Sequence, residues 1–115
     1  VRVDNADTTL INTIVWANSP NQFSLAATAS LQVRFTIVED GWPGFNVSSG
    51  DPFLLDPQNG NYQLQAGSPA IDAAAGDEAP NTDLEGNARV DDPNTEDTGT
   101  GSPTYCDIGP YEYQP

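Results

Sequence analysis

Short apolar runs in the first half of the chain recur at a regular spacing, separated by segments rich in Asn, Asp, Gly and Pro. Residues 12–15 return as residues 35–38, a spacing of 23. A second set of apolar positions recurs at a spacing of 22, namely Val1 and Val3, then Phe23 and Leu25, then Phe45 and Val47. A repeat of this length is typical of one coil of a parallel β-helix, in which equivalent strands stack on one another.

This repeat predicts an all-β fold of about three coils over residues 1–66. Apolar positions that point inward in successive coils should form the core. The residues expected there are Val3, Ile14, Phe23, Leu25, Ile37, Val47, Leu54 and Leu64. Corners carry Pro43, Pro52 and Pro57, where a missing N–H harms no ladder.

Residues 59–72 mark the end of the regular pattern. Asn59-Gly60 is a turn dipeptide, and Tyr62 and Leu64 then alternate with polar residues as in a strand with one buried face. Ser68-Pro69 is a typical helix start, so we expect a short helix. Beyond it the composition is irregular and acidic, which predicts that residues 67–115 form a C-terminal cap with an acidic loop. We expect coils and cap to be one structural unit.

Three ordered motifs span roughly half of the chain, from residue 59 to residue 112. They are residues 59–72, which end in Ser68-Pro69-Ala70-Ile71-Asp72, then Thr82-Asp83-Leu84-Glu85-Gly86-Asn87-Ala88-Arg89, then Asp107-Ile108-Gly109-Pro110-Tyr111-Glu112. Their order and spelling resemble the "choice-of-anchor"-type C-terminal ending of bacterial surface proteins with a right-handed parallel β-helix, the pectin-lyase-like class. The chain departs from that pattern at Pro110 and in the long acidic insert before the last motif, residues 91–103. The insert has no periodicity and is predicted to be a surface loop. The resemblance implies a secreted or cell-surface location.

The charge balance is strongly acidic. The chain has 17 Asp and Glu residues against three Arg and no Lys or His, giving a net charge of −14. Without a basic patch to neutralise phosphates, nucleic acid and anionic membrane surfaces are excluded as partners. No apolar run is long enough to insert into a membrane. Solubility in a salty or calcium-containing medium and cation binding are the two interpretations that remain.

No catalytic residue can be assigned. Cys106 has no His to act as its base, so a buried structural thiol is expected. The close acidic pairs, Asp4 with Asp7 and Glu39 with Asp40, lie in expected turns, where Asp side chains usually bond their own backbone.

The second motif contains the candidate metal ligands. Asp83, Glu85 and Asn87 place oxygen atoms at alternate positions before and after a Gly turn, as at the start of a calcium loop. The twelfth position holds Asn94 rather than the bidentate Glu of an EF-hand, so a structural turn is the competing interpretation. Calcium is the only cofactor that the sequence suggests.

The cap should be held by a buried ion pair. Arg89 is the only basic residue of the second half, so we expect it to bind a carboxylate of the motifs. The candidates are Asp72, Asp107 and Glu112, together with Asp83 of the metal set; Asp72 and Asp107 are the preferred partners.

Two tryptophans raise the question of carbohydrate binding, because aromatic side chains on β-helix faces often stack on sugars. Trp16 ends an apolar strand and Trp42 lies in a corner. Packing at the edges of the coils is the simpler interpretation for both.

The function expected from these features is a non-catalytic structural or adhesive module. The chain starts at Val1 rather than Met, so we expect it to be processed or excised from a longer protein. Upstream coils or identical subunits would cover the strands at its N-terminal end, and identical subunits could join head to tail into a filament. The alternative is the C-terminal end of a polysaccharide-degrading enzyme whose active site lies upstream.

Overall fold

The computed structural model describes residues 1–4 and 6–115. Within these residues, the regular structure consists of short strands and two 3-10 helices, Pro57–Asn59 and Gly76–Glu78. The strands are β1 (Arg2–Val3), β2 (Asp7–Ile11), β3 (Ile14–Val15), β4 (Ser24–Leu25), β5 (Ser30–Val38), β6 (Phe45–Ser48), β7 (Leu54–Asp56) and β8 (Asn61–Leu64). Neither described helix has the length or apolar character needed to cross a membrane.

Strand β5 is the centre of the main sheet. Strands β2 and β3 lie end to end along one of its edges, and β6 lies along the other; all three run parallel to it. Ile14 pairs with Ile37, at the spacing of 23 seen in the sequence. The small β1–β4 sheet is also parallel and pairs Val3 with Leu25, at the spacing of 22. The sequence repeat therefore corresponds to a pairing register.

The predicted right-handed parallel β-helix is nevertheless wrong. The third coil does not form, because β6 pairs with β5 at a spacing of 11 residues instead of 22 or 23. Arg34 lies opposite Phe45. Strands β7 and β8 then pair antiparallel. The structure is thus a set of small separate sheets, parallel and antiparallel, and the described residues form no continuous solenoid.

The cause lies in the connection between β5 and β6. Asp40 and Gly41 both have positive φ angles, which close a tight turn directly after Val38. Gly44 then passes so close to β5 that a Cβ there would lie 2.0 Å from the carbonyl oxygen of Val33. Since the chain returns at once to the strand it has just left, a new coil cannot start.

The main sheet bends along one line. Asn12, Phe35 and Asn46 all have left-handed backbone conformations, and the strand register places them side by side. Left-handed φ is costly for a residue such as Phe, so the bend must be held by its surroundings. The Phe35 ring is buried and packs edge-on against Phe45, with centroids 5.6 Å apart.

Two apolar clusters lie on opposite faces of the sheet, because alternate residues of a strand point in opposite directions. Ile37 belongs to one cluster, with Ile14 packed against it, while their neighbours Val38 and Val15 belong to the other. The Ile37 cluster also contains most of the buried apolar residues of the C-terminal half, namely Ala70, Ile71, Ala73, Ala74, Cys106 and Ile108.

The predicted core residues differ in how deeply they are buried. Ile37 is fully buried, and Val3 and Leu64 are buried as expected. Ile14, Phe23, Val47 and Leu54 are only partly buried. Leu25 is 38% exposed, so its assignment to the core was wrong.

The tryptophans pack in separate clusters. Trp16 lies against the Ile37 cluster and Trp42 against the Val38 cluster. Trp42 contacts Phe23 edge-on, with ring centroids 4.7 Å apart. The two indoles therefore do not form a shared platform for a sugar.

The segment after β7 follows the sequence prediction in part. Gly60 has a φ of 81° and closes the predicted turn, and β8 follows with Leu64 buried. The predicted short helix at Ser68 is wrong: residues 69–72 form turns, and Asp72 has a φ of 51°. The Ser68 hydroxyl accepts only one backbone N–H, that of Ala70, before the left-handed Asp72 ends any helical path.

Residues 98–104 pack against residues 72–77 through backbone contacts. A Cβ at Gly99 would lie 2.4 Å from the carbonyl oxygen of Ala74, and one at Gly76 would lie 1.8 Å from that of Pro103. On the other side, the side chain of Asn12 bonds both the N–H and the carbonyl of Ala75. The side chain of Asn12 thus joins the C-terminal half to the bend of the main sheet.

Truncating the central core residue tests this packing. Ile37→Ala should lower the free energy of unfolding by about 2–5 kcal/mol, through lost burial and the cavity left behind. Leu25→Ala is the matched control and should have a much smaller effect, since Leu25 is partly exposed. Urea denaturation of both variants gives the comparison, and equal losses would contradict the core described here.

Candidate functional site

Five buried acidic residues form a connected network. In this carboxylate network each member except the last, Asp83, donates its backbone N–H to the side-chain carboxylate of the next. The donors and acceptors run from Asp92 to Asp72, from Asp72 to Asp107, from Asp107 to Glu112 and from Glu112 to Asp83. All five residues are at most 8% exposed. The carboxylates thus take the place of a missing sheet, because they satisfy buried N–H groups in irregular backbone.

Glu112 forms the ion pair of the network, with Arg89. Its side chain is fully buried and binds Arg89 at 2.7 Å, and the side chain of Arg89 is 8% exposed. The backbone N–H of Val90 donates to the other oxygen at 2.8 Å, and Arg89 also donates to the carbonyl of Pro80. Arg89 therefore binds a member of the expected set, but neither of its preferred partners, Asp72 and Asp107.

Asp107 is the central member of the network. Its two carboxylate oxygens accept the N–H groups of Asp72 and Tyr113 at 2.8 and 2.6 Å. Burial raises its pKa to about 7; the two N–H groups oppose this shift, and the negative charges of Glu112 and Asp72 add to it. Asp107 consequently titrates near neutral pH rather than in the acid range.

Asp83 is the last member of the carboxylate network and lies in a tight turn. Its oxygens accept the N–H groups of Glu85, Asn87 and Glu112 and the side-chain amide of Asn87. Burial alone would raise its pKa, but these hydrogen bonds outweigh burial and lower it. Glu85 points to Gln63 instead, at 2.8 Å. Asp83 and Asn87 therefore lie together in a hydrogen-bonded turn, while Glu85 bonds elsewhere. The arrangement fits the structural turn, and a calcium site at these residues stays a prediction.

Asp72 begins the irregular half and is fully buried. Its Oδ2 accepts the N–H of Asp92, but its Oδ1 has no hydrogen-bond partner among the described residues. No other buried side-chain oxygen or nitrogen in this part of the chain lacks a partner. Burial is the largest cause that raises its pKa to about 6, and the charges of Asp97, Asp91 and Asp92 add to it. One carboxylate oxygen each from Asp72, Asp91 and Asp97 lie within 4.8 Å of one another.

Of the remaining groups, the thiol is buried in the core, and carboxylates of the predicted acidic pairs are bonded to neighbouring residues. Cys106 is a free, buried thiol whose pKa is raised by burial, as expected for a core residue. Asp4 pairs with Arg2, Asp7 accepts the Ser30 hydroxyl, and Glu39 accepts the amide of Gln22. Asp4 and Asp7 thus bond separate partners, whereas Glu39 and Asp40 both line a surface pocket beside Trp42.

Sequence reasoning missed the members of the acidic insert. Asp91, Asp92 and Asp97 were assigned to a surface loop, yet Asp92 is buried and its carboxylate accepts the hydroxyl of Thr95 and the N–H of Asn94. These bonds lower its pKa, the Thr95 hydroxyl most strongly. The run Asp92-Pro93-Asn94-Thr95 is a recognisable Asx-turn pattern, and this signal could have separated Asp92 from its exposed neighbours.

Comparisons with models of protein families, with curated proteins and with solved structures find no match to this chain. The resemblance of the three motifs to the ending of bacterial surface proteins therefore stays a prediction.

The ion pair can be tested by removing its cation. Arg89→Ala should destabilise the protein by about 3–5 kcal/mol, because the buried Glu112 carboxylate would be left without a counter-charge. Arg2→Ala removes an ion pair that is 71% and 61% exposed, and it should cost at most about 1 kcal/mol. Thermal and urea denaturation measure both, and an unchanged melting temperature for Arg89→Ala would refute the role of the pair.

The raised pKa values of Asp107 and Asp72 predict an unusual pH dependence. Between pH 3.8 and about 7 the folded Asp107 holds a proton that the unfolded chain releases. The free energy of unfolding should therefore fall as the pH rises through this window. Asp83 and Asp92 have lowered pKa values, so the stability they contribute is lost only as the pH falls below 3.8.

We expect the protein to be more stable at about pH 5 than at about pH 8 when EDTA keeps divalent cations from the carboxylates. Urea denaturation at the two pH values gives the comparison. Equal or greater stability at the higher pH would show that Asp107 and Asp72 are ionised without penalty in the folded state.

Proposed function

We propose that this chain is a non-catalytic structural module of a secreted or cell-surface protein, which joins a second copy of itself through open β-sheet edges. The observation that carries the proposal is that each parallel sheet ends, on both sides, in strands with no further strand partner among the described residues. The motif resemblance supports the location, although the fold does not follow the β-helix of that class. The engagement of the buried carboxylates with backbone N–H groups supports a structural rather than a catalytic role.

The first edge is formed by β1 and β2, because the carbonyl of Asn12, between β2 and β3, already accepts the N–H of Gly109. Among the described residues, these strands pair on one side only, with β4 and β5. The N–H of Ser30 donates to the carbonyl of Ala6, which sets the pattern of the β2–β5 ladder. Because alternate residues of a parallel strand bond to the same neighbour, the N–H groups of Asp7, Thr9 and Ile11 face away from β5. An edge of this kind can accept another strand.

The second edge is formed by β4 and β6 on the opposite side. Each pairs with a single neighbour among the described residues. Exposed apolar side chains lie at both edges: Val1 is 49% exposed at the first, and Leu25 and Phe45 are 38% and 64% exposed at the second. Joining the first edge of one copy to the second edge of another is a head-to-tail contact, which can continue into a filament.

The net charge of −14 opposes this association. Repulsion between exposed charges is screened by salt, with a Debye length of about 10 Å at 0.1 M and about 3 Å at 1 M. Association should therefore increase with ionic strength.

Blocking the first edge tests the proposal. Light scattering should show oligomers of the purified chain in high salt. Thr9→Pro should reduce them, because it removes an outward N–H from an exposed position without breaking the β2–β5 ladder. Thr9→Ala keeps that N–H and is the matched control. A chain that stays monomeric at all salt concentrations, or a Thr9→Pro variant that assembles like the control, would refute self-association.

A further inference from the structure

We propose that Asp72, Asp91 and Asp97 bind a divalent cation of the calcium type. This site is independent of the sheet edges and differs from the calcium candidates suggested by the sequence. Its three carboxylates come from two distant segments, the turn at Asp72 and the acidic insert, and the fold brings one oxygen of each within 4.8 Å of the others.

Backbone contacts hold the acidic insert around Asp72. The carbonyl of Asp72 accepts the N–H groups of Thr98 and Gly99, both at 2.9 Å. The N–H of Asp92 donates to Asp72 Oδ2 at 3.2 Å. Asp91 and Asp97 adjoin these anchored residues, so both ends of the insert are fixed beside the same buried carboxylate.

The unpartnered Asp72 Oδ1 is the observation that points to a ligand. A buried carboxylate oxygen without a donor is costly, and natural structures rarely leave one unsatisfied. The neighbouring carboxylates of Asp91 and Asp97 cannot supply a donor when ionised. A cation bound between the three would satisfy Oδ1 and neutralise the mutual repulsion.

The remaining geometry suits a hard cation that tolerates irregular coordination. Asp97 Oδ2 accepts the hydroxyl of Thr104 at 2.5 Å, which orients this side chain and leaves its other oxygen available. Asp91 and Asp97 are exposed, so an ion can reach the site from solvent. Calcium takes carboxylate oxygens together with several waters in flexible arrangements, whereas magnesium requires a nearly ideal octahedron.

The test is calcium titration of the whole chain by isothermal calorimetry, starting from EDTA-treated protein at neutral pH and moderate salt. The wild type should show saturable binding of one ion per chain and a melting temperature that rises with calcium. Asp91→Asn/Asp97→Asn should lose both effects while still folding without calcium, because both side chains are exposed. Asp40→Asn removes an exposed carboxylate elsewhere and should bind like the wild type.

Two results would overturn the proposal. One is a wild type without saturable binding, and the other is a double variant that binds calcium as the wild type does. An equal loss of binding in Asp40→Asn would also count against the site, since it would assign the effect to net charge alone. Thermal melts of each variant in EDTA establish that the comparison is made between folded proteins.

Discussion

The constraint on which this structure depends is the need to satisfy buried backbone N–H groups where no sheet is available. Beyond β8 the described chain contains only isolated bridges and one short 3-10 helix, yet many of its residues are buried. Carboxylates of Asp72, Asp83, Asp107 and Glu112 supply the missing acceptors. This solution buries several carboxylates around a single cation, Arg89. Burial, with the repulsion between the carboxylates added to it, raises the pKa values of Asp107 and Asp72.

The carboxylate network also explains how the small sheets become one unit. Ile37 at the end of β5 packs among Ala70, Ile71 and Ile108, and the same segments hold Asp72 and Asp107. Apolar packing therefore brings the irregular half onto the sheet, and the hydrogen bonds fix its path. The proposed cation would bind Asp72 Oδ1, the one buried side-chain oxygen or nitrogen that has no protein partner in the described residues.

The sequence allowed the strand register to be predicted but not the fold. Ile14 and Ile37 align because equivalent apolar positions recur, and a periodic pattern records such neighbours directly. The failure of the third coil depends on Asp40, Gly41 and Gly44, whose effect is set by a close approach to Val33 that no pattern encodes. At the site, the motifs contained most of the network, but which carboxylate binds Arg89 depends on the tertiary path of the chain.

Hydrogen exchange tests the central claim most directly. The amides of Asp72, Asp92, Asp107, Glu112 and Tyr113 lie outside strands and helices, and each donates to a buried carboxylate. Measured by NMR, their protection should match that of Ile37, whose amide bonds Thr13 within the parallel sheet. If these amides exchange as fast as that of the exposed Glu96, the carboxylates do not hold the irregular half in place.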